Sequence, residues 1–352
     1  MIRVLIVEDS PVEQQLLTHI LGSDPLIVVV GVAVDGEMAL SEVARLKPDV
    51  VTMDIYMPKL DGFETTRRIM ESVPLPIIIV SGTYNSNDSD KSFRAMEAGA
   101  LAIVRKPTGV GHADCRTDAA ELIKTVKTMS EIKVVRRWPR LRSEAPVPCI
   151  PAVEAGVSPK DIQVIAIGAS TGGPGVLRTI FSALPKNLSA PVLVVQHMAV
   201  GFMGNFVTWL SDTTGFPSHI AVHGEGVIPG HAYFAPDGYH LLVGRDCRIV
   251  LSNEKPENDQ RPSVARLFRS VAETFGRAAV GVLLTGMGRD GADDLKLLRS
   301  RGAVTLVQDR ESSIVFGMPG EAVKIDAADF ILSPDEIAKV LEQLCAVKAI
   351  KV

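Results

Sequence analysis

The sequence predicts an α/β protein made of two doubly wound, mostly parallel units, the second of which carries a β-hairpin insertion. Three observations lead to this fold class. Short apolar, β-branched runs alternate with amphipathic helical stretches over the first 130 residues, the alternation stops between about 131 and 160, and it resumes from Gln163. Continuous apolar strands of this kind are typical of parallel sheets that are buried on both faces. A chain of 352 residues is also expected to form two hydrophobic cores rather than one.

The first unit is predicted to alternate five strands with five helices. Its first helix has a recognisable start, because Ser10 suits the N-cap, Pro11 suits the first helical position and Glu13 completes a capping box. The apolar face predicted for this helix consists of Val12, Leu16, Leu17, Ile20 and Leu21. The predicted strands are Val4–Val7, Ile27–Val32, Val50–Met53, Ile77–Val80 and Ala102–Val104.

Between the two units prolines accumulate and the apolar periodicity is lost, which predicts an extended linker. A group of arginines lies around Trp138 at the start of this stretch. We expect the arginines to be solvated, and contact with an acidic surface is the alternative. The arginines are Arg136, Arg137, Arg140 and Arg142, and the prolines are Pro139, Pro146, Pro148, Pro151 and Pro159.

The second unit again alternates apolar strands with helices. Its predicted strands are Gln163–Ile167, Val192–Gln196, Val280–Leu284 and Ala303–Val307, and its predicted helices lie near 175–184, 263–275, 291–301 and 334–347. Glycines separate short strand-like runs between 219 and 252. This spacing predicts hairpins inserted into the second unit.

The composition excludes several classes of protein. The formal net charge is −4, so there is no basic excess to neutralise the phosphates of a nucleic acid. The four cysteines form no CxxC pair, which favours reduced thiols over a disulfide framework or a zinc site. No apolar run approaches the roughly 20 residues that a membrane span needs. We therefore expect a cytoplasmic protein that binds no nucleic acid and does not insert into a membrane.

Acidic and polar side chains of the first unit follow the predicted strands at the point where each strand ends. Glu8 and Asp9 follow the first strand, and Asp54 follows the third. Ser81 and Lys106 follow the fourth and the fifth. Open α/β sheets bind ligands at this carboxyl edge, and converging carboxylates would repel one another without a hard cation such as Mg²⁺. One aspartate alone would suggest a cap or a turn, but the combination predicts a phosphoryl-transfer site.

These residues closely resemble those of the response-regulator receiver family over roughly residues 1–125. The resemblance implies a flavodoxin-like (βα)5 receiver domain in which Asp54 accepts a phosphoryl group from a histidine kinase. The matching motifs are Val7-Glu8-Asp9-Ser10, Met53-Asp54-Ile55-Tyr56-Met57-Pro58, Gly62, Ser81-Gly82 and Arg105-Lys106-Pro107.

The same resemblance implies roles for the other residues at this edge. Ser81 and Lys106 are implied to contact the phosphoryl oxygens, the lysine as a compact positive charge. Ile103 occupies the switch position that is usually aromatic in this family, so the usual ring-rotation signal is not expected. The residues implied to bind Mg²⁺, directly or through water, are Glu8, Asp9, Asp54 and, through its carbonyl, Tyr56.

In the second unit, a hydroxyl lies on a glycine-rich turn between a strand and a helix, in the run Ile167-Gly168-Ala169-Ser170-Thr171-Gly172-Gly173. Ser170 could cap the helix, bind a phosphate or act as a nucleophile. No GxGxxG or GxxxxGK[ST] pattern supports the phosphate-binding alternative. The spacing of the run fits the nucleophile-elbow motif GxSxG, which is a weak signal on its own.

A catalytic serine needs a base and an acid, and two further strand ends supply candidates. His197 directly follows the strand Val192–Gln196, so it is expected at the same sheet edge as Ser170. Asp290 lies beside a glycine-rich turn that follows another strand, while Asp293 and Asp294 are simpler to interpret as favourable charges at a helix start. The histidine precedes the aspartate, and this order argues against an α/β-hydrolase fold.

Residues 161–350 are similar to the catalytic domain of the chemotaxis protein-glutamate methylesterases of the CheB type. With the receiver at 1–125 and a linker at 126–160, the domain order is also that of this family. The matching stretches are Ile167–Gly173, Gln196-His197-Met198, Arg261-Pro262-Ser263-Val264, Leu284-Thr285-Gly286-Met287-Gly288, Asp290-Gly291 and Phe316-Gly317-Met318-Pro319.

The resemblance implies that Ser170 attacks the side-chain methyl ester of a glutamate in a methyl-accepting chemoreceptor. His197 is implied to be the base, Asp290 to orient it, and the backbone N–H groups of Met287 and Thr171 to bind the oxyanion. The ester reaction releases methanol without a cofactor, and deamidation of receptor glutamines is a second implied activity. In this family the unphosphorylated receiver covers the catalytic cleft, so a chemotaxis-type histidine kinase is expected to activate the esterase.

Two other function classes compete with this interpretation. The chain could be a phosphoryl sink or docking partner for its kinase, with an idle esterase half, but the intact catalytic set argues against that. A transcriptional regulator is disfavoured because no helix-turn-helix or basic recognition helix is present.

Residues 199–205 and Gly320 depart from the family pattern. We expect these departures to affect the choice of receptor.

Overall fold

The computed structural model describes residues 1–82, 98–107, 115–132, 134, 162–244 and 246–345. The chain divides into two compact units, Met1–Ser143 and Glu144–Val352, and each has its own predominantly parallel sheet. Within the described ranges, no helix is both long enough and apolar enough to cross a bilayer. The predicted α/β class is confirmed.

The first unit is built on five strands: β1 (Ile2–Val7), β2 (Ile27–Ala33), β3 (Val50–Met53), β4 (Ile77–Ser81) and β5 (Ala102–Arg105). They pair in parallel in the order β2-β1-β3-β4-β5. All five strands are confirmed, with small differences at their ends. The described helices of this unit are α1 (Pro11–Gly22), α2 (Gly36–Leu46), α3 (Gly62–Ser72) and α4 (Cys115–Ser130). A further helix, which the alternation predicts between β4 and β5, falls outside the described residues.

The start of α1 differs from the prediction. The helix begins at Pro11, but the side chain of Ser10 makes no capping hydrogen bond. Glu8 accepts a hydrogen bond from the backbone N–H of Ser10 at 3.2 Å, and Glu13 pairs with Lys106. The predicted capping box is therefore wrong, because the groups that would form it are engaged by the acidic edge of the sheet. Val12 is also not part of the apolar face, since it is 76% exposed.

The second unit contains a seven-stranded sheet and a separate hairpin. Its strands are β6 (Val164–Ala169), β7 (Val192–Gln196), β8 (Ser218–Ile220), β9 (Ala232–Phe234), β10 (His240–Val243), β11 (Ile249–Ser252), β12 (Ala279–Leu283), β13 (Val304–Gln308) and β14 (Phe330–Leu332). The sheet has the order β14-β13-β12-β6-β7-β9-β8, and every pair in it is parallel. Strands β6, β7 and β12 at its centre are completely buried, as the continuous apolar runs predict.

Helices cover this sheet, and two of them were not predicted. The helices are α5 (Gly173–Ala183), α6 (Met203–Thr214), α7 (Val264–Thr274), α8 (Ala292–Ser300), α9 (Met318–Lys324) and α10 (Pro334–Cys345), with a 3-10 turn at Gly276–Ala278. Helix α6 has no capping side chain at its start, and α9 has only seven residues. The signals that they do carry, Gly215 after α6 and Pro319 in the first turn of α9, were not enough to predict them. The short strand β14 was missed for a similar reason, because it has three residues.

The inserted region between 219 and 252 contains one hairpin rather than several. Strands β10 and β11 form an antiparallel pair, which confirms the hairpin part of the prediction. Strands β8 and β9 instead extend the main sheet in parallel beyond β7. At the boundary between the first unit and the predicted linker, α4 continues to Ser130, past the domain end predicted at 125. The predicted linker arginines and prolines lie outside the described residues.

Candidate functional site

The turn after β6 places Ser170 at the carboxyl edge of the second sheet. The Ser170 N–H donates to the carbonyl of Thr285 at 3.0 Å, which fixes this turn to the one that follows β12. Gly172 has a φ of 80°, and a Cβ atom there would lie only 2.8 Å from Ile314. The glycine is therefore required both by conformation and by space. Among the described residues, the Ser170 hydroxyl has no hydrogen-bond partner.

His197 and Asp290 meet beside this serine. Nε2 of His197 lies 3.0 Å from Oδ2 of Asp290, and within the described part of the chain it has no other polar partner. The two residues follow β7 and β12, which flank the strand of Ser170 on either side. The structure thus brings the predicted base and acid into contact, with the serine on the strand between theirs.

The carboxylate of Asp290 is held at the start of α7. It accepts hydrogen bonds from the backbone N–H groups of Val264 at 2.7 Å and Ala265 at 3.2 Å. The Ser263 hydroxyl and the Asn258 amide donate to it at 2.8 Å and 3.0 Å. Unpaired N–H groups and the positive end of the dipole at a helix N-terminus favour a carboxylate there.

This environment keeps Asp290 ionised. Burial alone would raise the pKa of the carboxyl, but the contact with His197 and the hydrogen bonds from Asn258 and Val264 outweigh burial and hold the pKa below its usual value. The carboxylate can therefore orient the imidazole and stabilise its protonated form.

The two rival aspartates have other partners. Asp293 pairs with Arg289 at 2.6 Å on the exposed surface. Asp294 pairs with Arg269 at 3.0 Å. Of the three acidic residues near the start of α8, Asp290 is the one in contact with His197.

The peptide between Gly286 and Met287 is anchored beside Ser170. The Gly286 carbonyl accepts hydrogen bonds from the N–H groups of Gly317 at 3.1 Å and Met318 at 2.9 Å. In a trans peptide the N–H points away from the carbonyl, so the Met287 N–H faces the opposite side. Gly286 lies so close to the serine that a Cβ atom on it would be 2.7 Å from Ser170 Cβ. In the described structure, neither the Met287 nor the Thr171 N–H has a hydrogen-bond partner, as an oxyanion-binding pair requires.

A second site lies at the carboxyl edge of the first sheet. Glu8, Asp9 and Asp54 each offer a carboxylate oxygen, and these oxygens lie within 4.8 Å of one another. Burial raises the pKa of Glu8 to about 7 and also raises the pKa of Asp54. Three converging oxygen donors, two of them on buried carboxyls, fit a hard cation such as Mg²⁺. Tyr56 is partly exposed two residues after Asp54, and its carbonyl remains a predicted ligand.

Lys106 is the cation of this acidic site. Its Nζ lies 2.9 Å from Oε2 of Glu8 and 3.5 Å from Oδ1 of Asp54, and it also pairs with Glu13. Burial would lower the pKa of Lys106, but these carboxylates raise it, so the lysine stays charged. Ser81 is buried at the end of β4, where its carbonyl accepts the Lys106 N–H at 2.8 Å. The residues that were predicted at the carboxyl edge of the first sheet therefore lie together there, and Glu13 joins them.

Comparison with known proteins identifies the family. Residues 165–341 match the model of the family described as CheB methylesterase. The chain belongs to the CheB methylesterase family. Residues 4–113 match the response regulator receiver domain, so this member of the CheB family also carries a receiver.

Relatives and a solved structure agree with this assignment. The chain is 54% identical over 345 residues to protein-glutamate methylesterase/protein-glutamine glutaminase 1 of Syntrophus aciditrophicus, covering 98% of each chain. It is 51% identical over 349 residues to a protein of the same name, numbered 4, from Geobacter metallireducens, covering 99% of this chain and 100% of that one. The crystal structure of the Thermotoga maritima CheB methylesterase catalytic domain is similar with a TM-score of 0.51 and 34% identity, covering 52% of this chain and 98% of that domain.

Sequence reasoning missed several residues of this CheB-family site. Asn258 and Ser263 hold the carboxylate of Asp290, and Gln196 donates hydrogen bonds to the carbonyls of Ser170 and His197. Ser263 carried a usable signal, since a serine directly before a helix is a typical N-cap. Its hydroxyl instead bonds to Asp290, and it makes no capping hydrogen bond. Gln196 lies in the matching stretch Gln196-His197-Met198, but that match gave it no role of its own. Asn258 carried no signal that distinguishes it from an ordinary polar residue.

The stability of the second unit is expected to depend on the ionisation of Asp290. The pKa of Asp290 is lower in the folded state than in the unfolded state. Its contribution to the free energy of unfolding is therefore fully present above the unfolded pKa of about 3.9. The contribution is lost as the pH falls through the lower folded pKa. The difference in the free energy of unfolding between the wild type and Asp290→Asn should therefore shrink below about pH 4. Urea unfolding over a pH series checks this, and a difference that grows with acidification would contradict it.

Proposed function

We propose that this chain is a phosphorylation-activated esterase that hydrolyses glutamate side-chain methyl esters of methyl-accepting chemoreceptors. The observation that carries the proposal is the 3.0 Å contact between His197 and Asp290 at the strand ends that flank Ser170. The names of the relatives supply the substrate class, protein glutamate esters, and a second activity on protein glutamine. A cytoplasmic location is part of the proposal.

The first half of the proposed reaction forms an acyl-enzyme. Ser170 Oγ attacks the ester carbonyl carbon, and His197 takes the hydroxyl proton. Since Nε2 of the imidazole faces Asp290, Nδ1 is the ring nitrogen left to receive that proton. The resulting oxyanion is bound by the N–H groups of Met287 and Thr171, and removal of one such donor typically costs about 10²–10³ in rate. Collapse of the intermediate breaks the bond to the methoxy oxygen, which leaves as methanol with the proton from the imidazole.

The second half of the reaction restores the enzyme. A water molecule attacks the acyl carbon while His197 takes one of its protons, and a second oxyanion forms in the same place. Collapse then breaks the bond to Ser170 Oγ, which recovers its proton from the imidazole. The products are the free serine and the glutamate carboxyl group, which releases its proton to water and becomes a carboxylate. With a glutamine side chain, ammonia leaves in place of methanol, and the remaining steps are the same.

The acidic site of the first unit is proposed to regulate this reaction. Asp54 would accept the phosphoryl group, and Ser81 and Lys106 would bind its oxygens. Glu8, Asp9 and Asp54 would hold Mg²⁺, with the carbonyl of Tyr56. When bound, the ion neutralises negative charge on the phosphoryl oxygens. A new charge cluster at Asp54 would then bias a two-state arrangement that controls the esterase.

Asp54→Ala is expected to abolish activation by a small phosphodonor while leaving the basal rate of methanol release unchanged. The variant removes the phosphoryl acceptor and leaves the amino-acid sequence of the second unit unchanged. Methanol release is measured with methylated receptor membranes in the presence and absence of acetyl phosphate and Mg²⁺. Glu71→Gln, which changes an exposed carboxylate on α3, is the control and should respond like the wild type. Equal stimulation of the wild type and Asp54→Ala would sink the regulatory part of the proposal.

The alternative is a phosphoryl sink or docking partner for a histidine kinase, with an idle esterase half. That alternative predicts phosphorylation of Asp54 with no methanol release from any methylated receptor. Methanol release from membranes that carry different methylated receptors distinguishes the two functions and identifies the receptor. The contact between His197 and Asp290 and the anchored peptide between Gly286 and Met287 favour a working esterase.

A further inference from the structure

We infer that Gln196 is a positioning residue that ties the nucleophile to the base through their backbone carbonyls. This inference rests on the proposed esterase function. Nε2 of Gln196 donates hydrogen bonds to the carbonyl of Ser170 at 2.9 Å and to the carbonyl of His197 at 2.7 Å. One amide group therefore connects the residues that directly follow β6 and β7.

Gln196 is enclosed by its surroundings, and among the described residues its Oε1 has no hydrogen-bond partner. It is the last residue of β7 and only 1% exposed, and in the strand register it pairs with Ala169. Its Oε1 lies against α5, where a Cβ atom on Gly173 would come within 2.0 Å of that oxygen. The glycine thus makes room for the amide, and the backbone of α5 limits its rotation.

The hydrogen bonds of Gln196 connect β6 and β7 beyond the point where their backbone pairing ends. The last backbone contact between them runs from the His197 N–H to the Ala169 carbonyl at 2.9 Å. Beyond it, Ser170 is tied to the β12 side by the bond from its N–H to Thr285, and its carbonyl also receives the Gly173 N–H. On the β7 side, the tie between the serine and the histidine within the described residues is the amide of Gln196.

Loss of this tie should affect catalysis more than binding. A displacement of about 1 Å between reacting groups costs on the order of 10²-fold in rate. Gln196 is only 1% exposed, so we do not expect its side chain to contact a receptor. We therefore expect kcat to fall about 10- to 100-fold with little change in KM.

Two variants of the full chain test the inference. Gln196→Met keeps the length of the side chain but donates no hydrogen bond, and Gln196→Glu places a carboxylate opposite two carbonyls. The readouts are kcat and KM for methanol release and the rate at which a fluorophosphonate labels Ser170. Labelling needs the serine and histidine geometry but no receptor, so it should slow by the same factor as kcat.

The Glu variant adds a readout that a merely structural role would not move. A protonated carboxyl can donate one hydrogen bond, whereas an ionised carboxylate cannot donate any. The labelling rate of Gln196→Glu relative to the wild type should therefore rise as the pH is lowered from about 8 to about 5. The same ratio for Gln196→Met should stay constant over this range.

Thr305→Val is the matched control for lost stability. Thr305 is fully buried in β13 and exchanges hydrogen bonds with Asp329, but it contacts none of the residues of the site. This variant should lose stability while its labelling rate stays at the wild-type value.

Wild-type kcat and labelling in Gln196→Met, or a pH-independent ratio in Gln196→Glu, would overturn the inference. If the wild type is labelled at Ser170 but releases no methanol, the proposed substrate fails, and the labelling arm still tests Gln196.

Discussion

Ser170→Ala is expected to lower kcat for methanol release by at least about 10⁴-fold, the largest effect anticipated for any single substitution in this chain. The hydroxyl supplies the oxygen that forms the bond to the acyl carbon, and alanine has no oxygen in its place. The variant should still be phosphorylated at Asp54, because that residue belongs to the other unit. Methanol release and phosphorylation by acetyl phosphate are measured on the same preparation.

The control for this variant is Ser182→Ala. Ser182 is exposed on α5, the helix that begins just after Ser170, so the change alters the same region without touching the site. It should retain wild-type kcat. If Ser170→Ala released methanol at the wild-type rate, the serine would not be the nucleophile, and the phosphoryl-sink alternative would become the better account.

Asp290→Asn is expected to lower kcat by roughly 10⁴-fold, the second-largest effect. An amide cannot stabilise the protonated imidazole of His197. The amide also fits the site poorly, because its NH₂ group would face the N–H groups of Val264 or Ala265, which need an acceptor. Both consequences disturb the orientation of the base while leaving the serine in place. The measurement is kcat for methanol release, together with the rate of fluorophosphonate labelling.

Asp294→Asn tests whether Asp290, rather than Asp294, is the acidic residue that orients His197. Asp294 is nearly as buried as Asp290 and lies four residues later, but it pairs with Arg269 rather than His197. Its amide variant should therefore keep kcat near the wild-type value. A loss of activity in Asp294→Asn that matches the loss in Asp290→Asn would mean that the acid has been assigned incorrectly.

The positions of the main site residues could be predicted because of one rule about parallel sheets. Polar residues that directly follow buried strands must lie at one edge, and this rule placed Asp54 and Lys106 in one unit and Ser170 and His197 in the other. The rule works from short stretches of sequence, since it needs only a strand and the residue after it. Asp290 was more ambiguous, because it lies several residues past the end of β12.

The contacts that complete the sites could not be predicted in this way. Asn258 and Ser263 reach Asp290 from a segment between β11 and α7, and nothing local in the sequence indicates where that segment passes. Glu13 illustrates a different failure, because a local pattern suggested a capping box while a lysine from a distant strand end attracts the carboxylate. In both cases tertiary contacts decide which partner a polar group takes.

The central strands of the second sheet come from widely separated parts of the chain, and this has a consequence for biosynthesis. Strand β12 lies between β13 and β6, so the acid reaches the serine and the histidine only after the chain has been made beyond residue 290. Domains generally fold as units and from the N-terminus first during synthesis. A nascent chain would therefore complete its phosphorylatable unit well before it has an oriented base. During synthesis, the regulatory unit is therefore completed before the catalytic unit.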